Sequence, residues 1–289
     1  RMTRPEPCDD GPTRLRTAAR LARAGGRIAL EHWTRAQISW KTDDSMVTDA
    51  DLAIQRCLDR EIAAAFADDG MLGEENGASR PRRLEAPYVW IVDPIDGTNN
   101  FGRGLPGFSV SVGVLRFGRP FCGAVYDPLG DQLFTGLVGE GAWLNERPLQ
   151  VTPTPRSPRS LFCARAPYRG GVPEFVDGWL QRFRLRRVGS TALHLCYVAA
   201  GALAFVHDQR ASLWDIAGAA PVLTEAGGIL TAERGSPLFP IDPDAYQGEA
   251  IAFLAGDPLA HDESLRDVLA GAEAPRESSY GRPSAATSA

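Results

Sequence analysis

The chain has no apolar run near the ~18 residues that a membrane-spanning helix needs. It opens without the charged-then-apolar pattern of a signal peptide. A membrane partner and an exported protein are therefore not expected. No Cys-x-x-Cys pair occurs, and the five cysteines (Cys8, Cys57, Cys122, Cys163 and Cys196) are widely spaced and odd in number. That argues against a disulfide framework and for reduced thiols in the cytoplasm. His32, His194 and His261 lack metal-ligand spacing, so a zinc site is not indicated. An excess of basic charge is missing too. The net charge is −5, which excludes the electrostatic footprint of a nucleic-acid polymer binder. Ser111 and Ser190 have no Gly-x-Ser-x-Gly surroundings, and Gly102-Arg-Gly104 is not a P-loop, so serine-hydrolase and P-loop chemistry are not supported. Lysine is almost absent: of 31 basic residues only Lys41 is a lysine.

What is present suits a folded enzyme. At 289 residues, with 44% hydrophobic and 23% charged residues, one large α/β domain or two subdomains fit best. Helical spacing of apolar residues predicts helices over 13–37, 49–67, 174–183, 191–204, 214–226 and 263–270. Short apolar or alternating runs predict strands at 88–92, 108–117, 121–126, 132–137, 161–164, 204–207, 229–231 and 250–255. Residues 76–87 read as a surface loop, 152–159 as a hinge between subdomains, and 271–289 as a disordered tail. The expected division is 1–151, 152–270 and the tail.

Four acidic turns stand out, each beside an apolar element. Trp90-Ile-Val-Asp-Pro-Ile-Asp-Gly-Thr-Asn-Asn-Phe101 places Asp93 and Asp96 just past a buried strand. There they either line a ligand crevice and hold a hard cation such as Mg²⁺, or form an Asx turn and helix cap. Gly73-Glu74-Glu75 is either a surface pair or a second contribution to such a site. Trp214-Asp215 is a ligand or a helix cap. In Lys41-Thr-Asp-Asp-Ser-Met-Val-Thr-Asp-Ala-Asp51, the bland account is a cap at Thr48 or Asp49.

In this order and spacing, the sequence resembles the inositol monophosphatase-like family of Mg²⁺-dependent, Li⁺-sensitive phosphatases. The block Trp90–Phe101 is similar to its Trp-x-x-Asp-Pro-Ile-Asp-Gly-Thr-x-Asn-Phe signature, and Trp214–Gly228 to its second signature. Gly73–Glu75, Val47–Asp51 and Gly189–Gly201 match shorter family segments, and the likeness spans about residues 13–270. The resemblance implies an alternating α-β-α-β-α sandwich of the sugar-phosphatase type, often a homodimer. It implies that Glu74, Asp93, the Ile95 carbonyl, Asp96 and Asp215 hold two or three Mg²⁺, and that Li⁺ inhibits by taking one of those positions. It also implies that Glu74 and Thr98 position the attacking water and that the Gly97 and Thr98 N–H groups receive phosphate. Asp51 would lie near the metals, and Lys41 beside the site as a compact point charge.

The implied activity is hydrolysis of a small polyol or sugar phosphate ester, with inositol 1-phosphate the default. Histidinol phosphate, fructose 1,6-bisphosphate and 3′-phosphoadenosine 5′-phosphate are alternatives, and a non-catalytic regulatory or binding relative is a remote one. Asp96, Gly97, Thr98, Gly189, Ser190, Thr191, Asp208 and Asp215 are the expected substrate contacts. Asp208 precedes Asp215 by seven residues, where inositol phosphatases carry an acid for a sugar hydroxyl. The flanking His207 and Arg210 depart from the family run. Arg210 either meets a second anionic group or is simply solvated.

Overall fold

The computed structural model describes residues 10–41, 45–75, 83–165 and 171–273. Residues 76–82 of the loop expected at 76–87, and residues 274–289 of the tail expected at 271–289, lie outside the described residues. Helix α1 (Gly11–His32) buries Ala18, Leu21, Ala22, Gly25 and Ala29 along one stripe. It stops five residues before the expected end, and Thr34 at φ 66° turns the chain away. Strands β1 (Ile38–Trp40) and β2 (Met46–Thr48) then form an antiparallel hairpin. Strands of three residues are too short to show alternation, so this hairpin was invisible to pattern reading. Helix α2 (Asp49–Ala65) opens on a reciprocal capping box between Thr48 and Asp51.

The next elements are β3 (Gly70–Gly73), β4 (Tyr88–Asp96), α3 (Thr98–Phe101), β5 (Ser109–Arg116) and β6 (Arg119–Asp127). After them come β7 (Gln132–Leu137), β8 (Gly141–Leu144) and β9 (Arg147–Pro148). Strands β3 to β9 form a seven-stranded sheet in sequence order, with β3 parallel to β4 and the other pairs antiparallel. The second half contains β10 (Leu161–Ala164), α4 (Glu174–Arg182), β11 (Arg184–Leu185), α5 (Thr191–Ala199) and β12 (Phe205–Ala211). It continues with α6 (Leu213–Ala217), α7 (Ala220–Glu225), β13 (Ile229–Ala232), β14 (Ile251–Gly256) and α8 (Pro258–Glu273). Its five-stranded sheet runs β11-β10-β12-β14-β13.

Helices α1 and α2 cover one face of the large sheet through Leu21, Ile54 and Leu58. Helices α5, α6 and α7 pack between the two sheets around Phe134, Leu195, Ile216 and Val222. Helices α4 and α8 close the far face around Phe162, Trp179 and Phe205. The layering is α-β-α-β-α.

Three expectations are corrected. The single helix expected over 214–226 is two short ones, broken at Gly218-Ala219. The break lies where this backbone presses on Gly113 and Gly123, which are direct cross-strand partners on β5 and β6. A side chain on either glycine would run into the Ala217–Gly218 backbone, so these glycines let the helices approach the sheet closely here. Segment 152–159 is no free hinge, because the Arg156 side chain is only 8% exposed and is bonded to Glu263 and Asp267 of α8. Helix α8 also starts before 263 and runs to Glu273, three residues into the expected tail.

Candidate active site

Strand β4 delivers the central acids. Asp93 and Asp96 do not follow the strand; they lie within it, because β4 continues through Asp96. Strict alternation would send residues three apart to opposite faces. Pro94 has no N–H to pair, and the β4–β5 register shifts between Asp93 and Asp96. This irregularity brings both carboxylates to one side. Gly97 then takes φ 100°, where a Cβ would meet the Gly107 carbonyl and Phe108, and starts α3.

Asp215 arrives from α6 in the other half. One carboxylate oxygen from each of Asp93, Asp96 and Asp215 lies within 4.8 Å of the others, and all three residues are buried. Burial raises the pKa of Asp93 far above the ordinary carboxylate range, reinforced by Glu74, Asp96, Asp215 and Asp51. Burial and Asp96 also raise Asp215. Asp96 is pushed up by burial only to about 6, because Ser190 Oγ (2.6 Å), Ala192 N (2.6 Å) and Thr191 N (3.2 Å) donate to it. Asp93 Oδ1 is buried without a hydrogen-bond partner among the described residues. Converging hard oxygen donors with one left unbonded fit a hard divalent cation.

Glu74 leaves the end of β3, where its N–H donates to Val92 O at 3.2 Å, next to Asp93. Lys41 Nζ lies 3.0 Å from Glu74 Oε1 and 2.5 Å from Glu75 Oε1. The lone lysine thus pairs with the Glu74-Glu75 turn rather than standing as an isolated charge. Burial opposes its charge, but the two glutamates outweigh this and raise its pKa. The Thr98 hydroxyl, expected to position water together with Glu74, makes no hydrogen bond to it among the described residues. It instead lies 2.9 Å from Ile95 O and 3.4 Å from Asp51 Oδ1. Burial lifts Asp51 to about 7 against the opposing bonds from Thr48.

The alternatives of cap and site acid turn out not to exclude one another. Asp51 caps α2 and meets Thr98. Asp215 accepts the Ser212 N–H at the start of α6 and joins the carboxylate cluster. Asp96 accepts from the first N–H groups of α5. Helix N-termini stabilise carboxylates, so the same acids end the helices and point at the site. Val188, next to Gly189, is held against α3 by Asn100, whose Nδ2 donates to Val188 O at 2.8 Å and Gly107 O at 3.2 Å, while Thr191 bonds Asp96 and Asp208.

At the Asp208 end the picture changes. Arg210 is exposed, and His207 is fully buried, bonded to Glu233 and packed edge-on against Phe175 and Trp179. Neither is the arginine or histidine of the site. That arginine is Arg165, which sequence reading missed. Its Nη1 lies 3.3 Å from Asp215 Oδ2, 3.4 Å from Asp208 Oδ2 and 3.0 Å from Arg210 O. A signal for it existed: Arg165 directly follows a predicted strand, the same placement that singled out Asp93.

The comparisons with known proteins agree with this fold. Residues 12–267 match the model of the inositol monophosphatase family. The chain is 34% identical over 234 residues to inositol monophosphatase 1 of Sus scrofa, covering 76% of this chain and 83% of that protein. It is 31% identical over 278 residues to Nus factor SuhB of Xylella fastidiosa, covering 91% and 94%. A solved Thermotoga maritima IMPase superposes with a TM-score of 0.79 at 30% identity, covering 90% of this chain and 98% of that one. The chain belongs to the inositol monophosphatase family and is a phosphoric monoester hydrolase.

Proposed function

We propose that the chain is a Mg²⁺-dependent phosphomonoesterase for a small polyol or sugar phosphate, with inositol 1-phosphate as the default substrate. The observation that carries this reading is the convergence of Asp93, Asp96 and Asp215 within 4.8 Å around an unbonded Asp93 oxygen. Glu74, Asp93, the Ile95 carbonyl, Asp96 and Asp215 would hold two or three Mg²⁺. When bound, these ions supply the positive charge that activates water and stabilises the leaving oxygen. The remaining steps belong to the chain's own groups. Thr98 Oγ1 orients the water, and Asp51, 3.4 Å away, takes up the proton through that hydroxyl. The N–H groups of Gly97 and Thr98 open α3 and receive phosphate oxygens. Lys41 holds Glu74 in place.

The site draws Glu74, Asp93 and Asp96 from the first half and Asp215 from the second. This supports two subdomains divided near 151. A cytoplasmic homodimer completes the proposal, and sedimentation equilibrium checks the dimer. None of the implied ligands has been lost, so nothing here favours a non-catalytic relative.

The test is phosphate release with Mg²⁺ from inositol 1-phosphate, histidinol phosphate, fructose 1,6-bisphosphate, 3′-phosphoadenosine 5′-phosphate and glycerol 2-phosphate. Turnover that stops with chelator and is inhibited by millimolar Li⁺ is expected. No turnover of any ester with Mg²⁺ sinks the reading.

A further inference from the structure

Arg165 begins where β10 ends. Its backbone N–H donates to His207 O at 3.1 Å, extending the parallel pairing with β12 by one residue, so the side chain starts from a fixed point beside Asp208. Asp208 itself is not open to a ligand. Its side chain is 3% exposed, Oδ1 accepts the Arg210 N–H at 2.8 Å, and Oδ2 accepts the Thr191 hydroxyl at 3.3 Å together with Arg165. The Arg165 side chain is 36% exposed. The roles expected at this end of the pocket are therefore reversed. The carboxylate is an anchor, and the group presented outward is a guanidinium, one hydrogen bond from Asp215.

Among the described residues, every hydrogen bond from this guanidinium runs through Nη1. Its planar fork keeps further donors for an oxyanion. A guanidinium stays cationic at any working pH. A neutral polyol needs no such cation, whereas a phosphate or carboxylate at the far end of the substrate matches it bidentately.

We propose that Arg165 is a specificity-determining residue that selects phosphate monoesters carrying a second anionic group, held by the guanidinium while the ester is hydrolysed at the acidic centre. The proposal rests on the phosphatase reading above and moves the favoured substrates from inositol 1-phosphate toward doubly anionic esters.

The test uses two matched pairs with Mg²⁺. Glycerol 2-phosphate and 2-phosphoglycerate differ by one carboxylate, and fructose 1-phosphate and fructose 1,6-bisphosphate by one phosphate. The native enzyme is expected to prefer the doubly anionic member of at least one pair by about tenfold or more in kcat/KM, chiefly through KM. Arg165→Met should bring that preference to within about threefold, with the larger loss falling on the doubly anionic member. If Arg165→Met does not fold, as judged by a lost cooperative thermal transition, Arg165→Lys is decisive. It keeps a charge without the fork, and the preference should fall by about threefold or more. No preference in the native enzyme overturns the proposal. So does a preference that survives substitution, or an equal loss on both members, which would assign Arg165 to holding Asp215 alone. Turnover of inositol 1-phosphate without discrimination overturns only this inference; no turnover of any ester overturns the phosphatase reading with it.

Discussion

Arg156 and Asp93 both carry ionisable side chains largely shielded from solvent, yet their surroundings differ in kind. The Arg156 guanidinium bonds Glu263 Oε2 at 3.1 Å, Asp267 Oδ2 at 2.7 Å and Ser264 Oγ at 3.2 Å. Trp179 and Arg182 also donate to Asp267. Burial alone would raise the Asp267 pKa, but these bonds and charges outweigh it and lower it. Around Asp93 the neighbours are Glu74, Asp96, Asp215 and Asp51, and every one of them raises its pKa further. The first cluster closes its own charge balance and ties the 152–159 segment to α8. The second does not, and the excess negative charge is what a metal-dependent site provides.

The largest effect should come from breaking the unbalanced cluster. Asp93→Asn removes a central charge and is expected to lower Mg²⁺-dependent phosphate release by about 10³-fold. Relief of like-charge repulsion should leave the melting temperature in chelator unchanged or raised. Substantial remaining turnover in steady-state assays would refute the metal assignment.

The opposite pattern is expected at the balanced cluster. Arg156→Met leaves Glu263 and Asp267 without their partner and should cost about 2 kcal/mol, less than a fully buried pair because both acids are partly exposed. That corresponds to melting about 5 °C lower, with kcat/KM unchanged at 25 °C. A loss of activity without a loss of stability would contradict the division between the two clusters.

A pH series sharpens the contrast. Asp93 and Asp215 are raised, Asp51 to about 7 and Asp96 to about 6. A carboxylate whose folded pKa is raised stabilises the fold at low pH and loses that contribution as pH rises through the folded value. In chelator, the melting temperature should therefore climb between pH 8 and about 6.5. Below that, His194, held neutral by burial down to about 3, pulls the other way. Saturating Mg²⁺ should flatten the climb. Calorimetry that shows a falling melting temperature over this window would rule out the repulsive centre.

The smallest effect is expected at Lys41. Its ammonium sits between Glu74 and Glu75, and a broader guanidinium should displace Glu74 slightly. Lys41→Arg should lower kcat/KM by about threefold to tenfold. Unchanged kinetics would make the lone lysine an accident of an arginine-rich composition.

Much of the fold was legible because layers are written in periodicity. Strands β7 and β10 were read to the residue, and α4 to within one position. The break between α6 and α7 had a local signal that the apolar run masked: Pro221 has no N–H to continue a helix and instead stands in the first turn of α7. In the site, the Asp-Pro-Ile-Asp-Gly-Thr stretch named its own acids. Its exit from regular pairing was misplaced, since a bulge inside a strand looks locally like a turn after one.

The sequence by itself determined the chemical inventory: which acids, which single lysine, which apolar faces, and hence the family and reaction class. Only the tertiary structure decided who meets whom. Thr98 meets Asp51 across 47 positions, and Arg165 meets Asp208 across 43 and Asp215 across 50. Such pairings depend on strand register, bulges and helix placement, where a shift of one residue turns a side chain to the opposite face. A local pattern carries no record of that shift. The acids were therefore readable one by one, while the arginine that covers Asp208 appeared only when the two strand ends lay side by side.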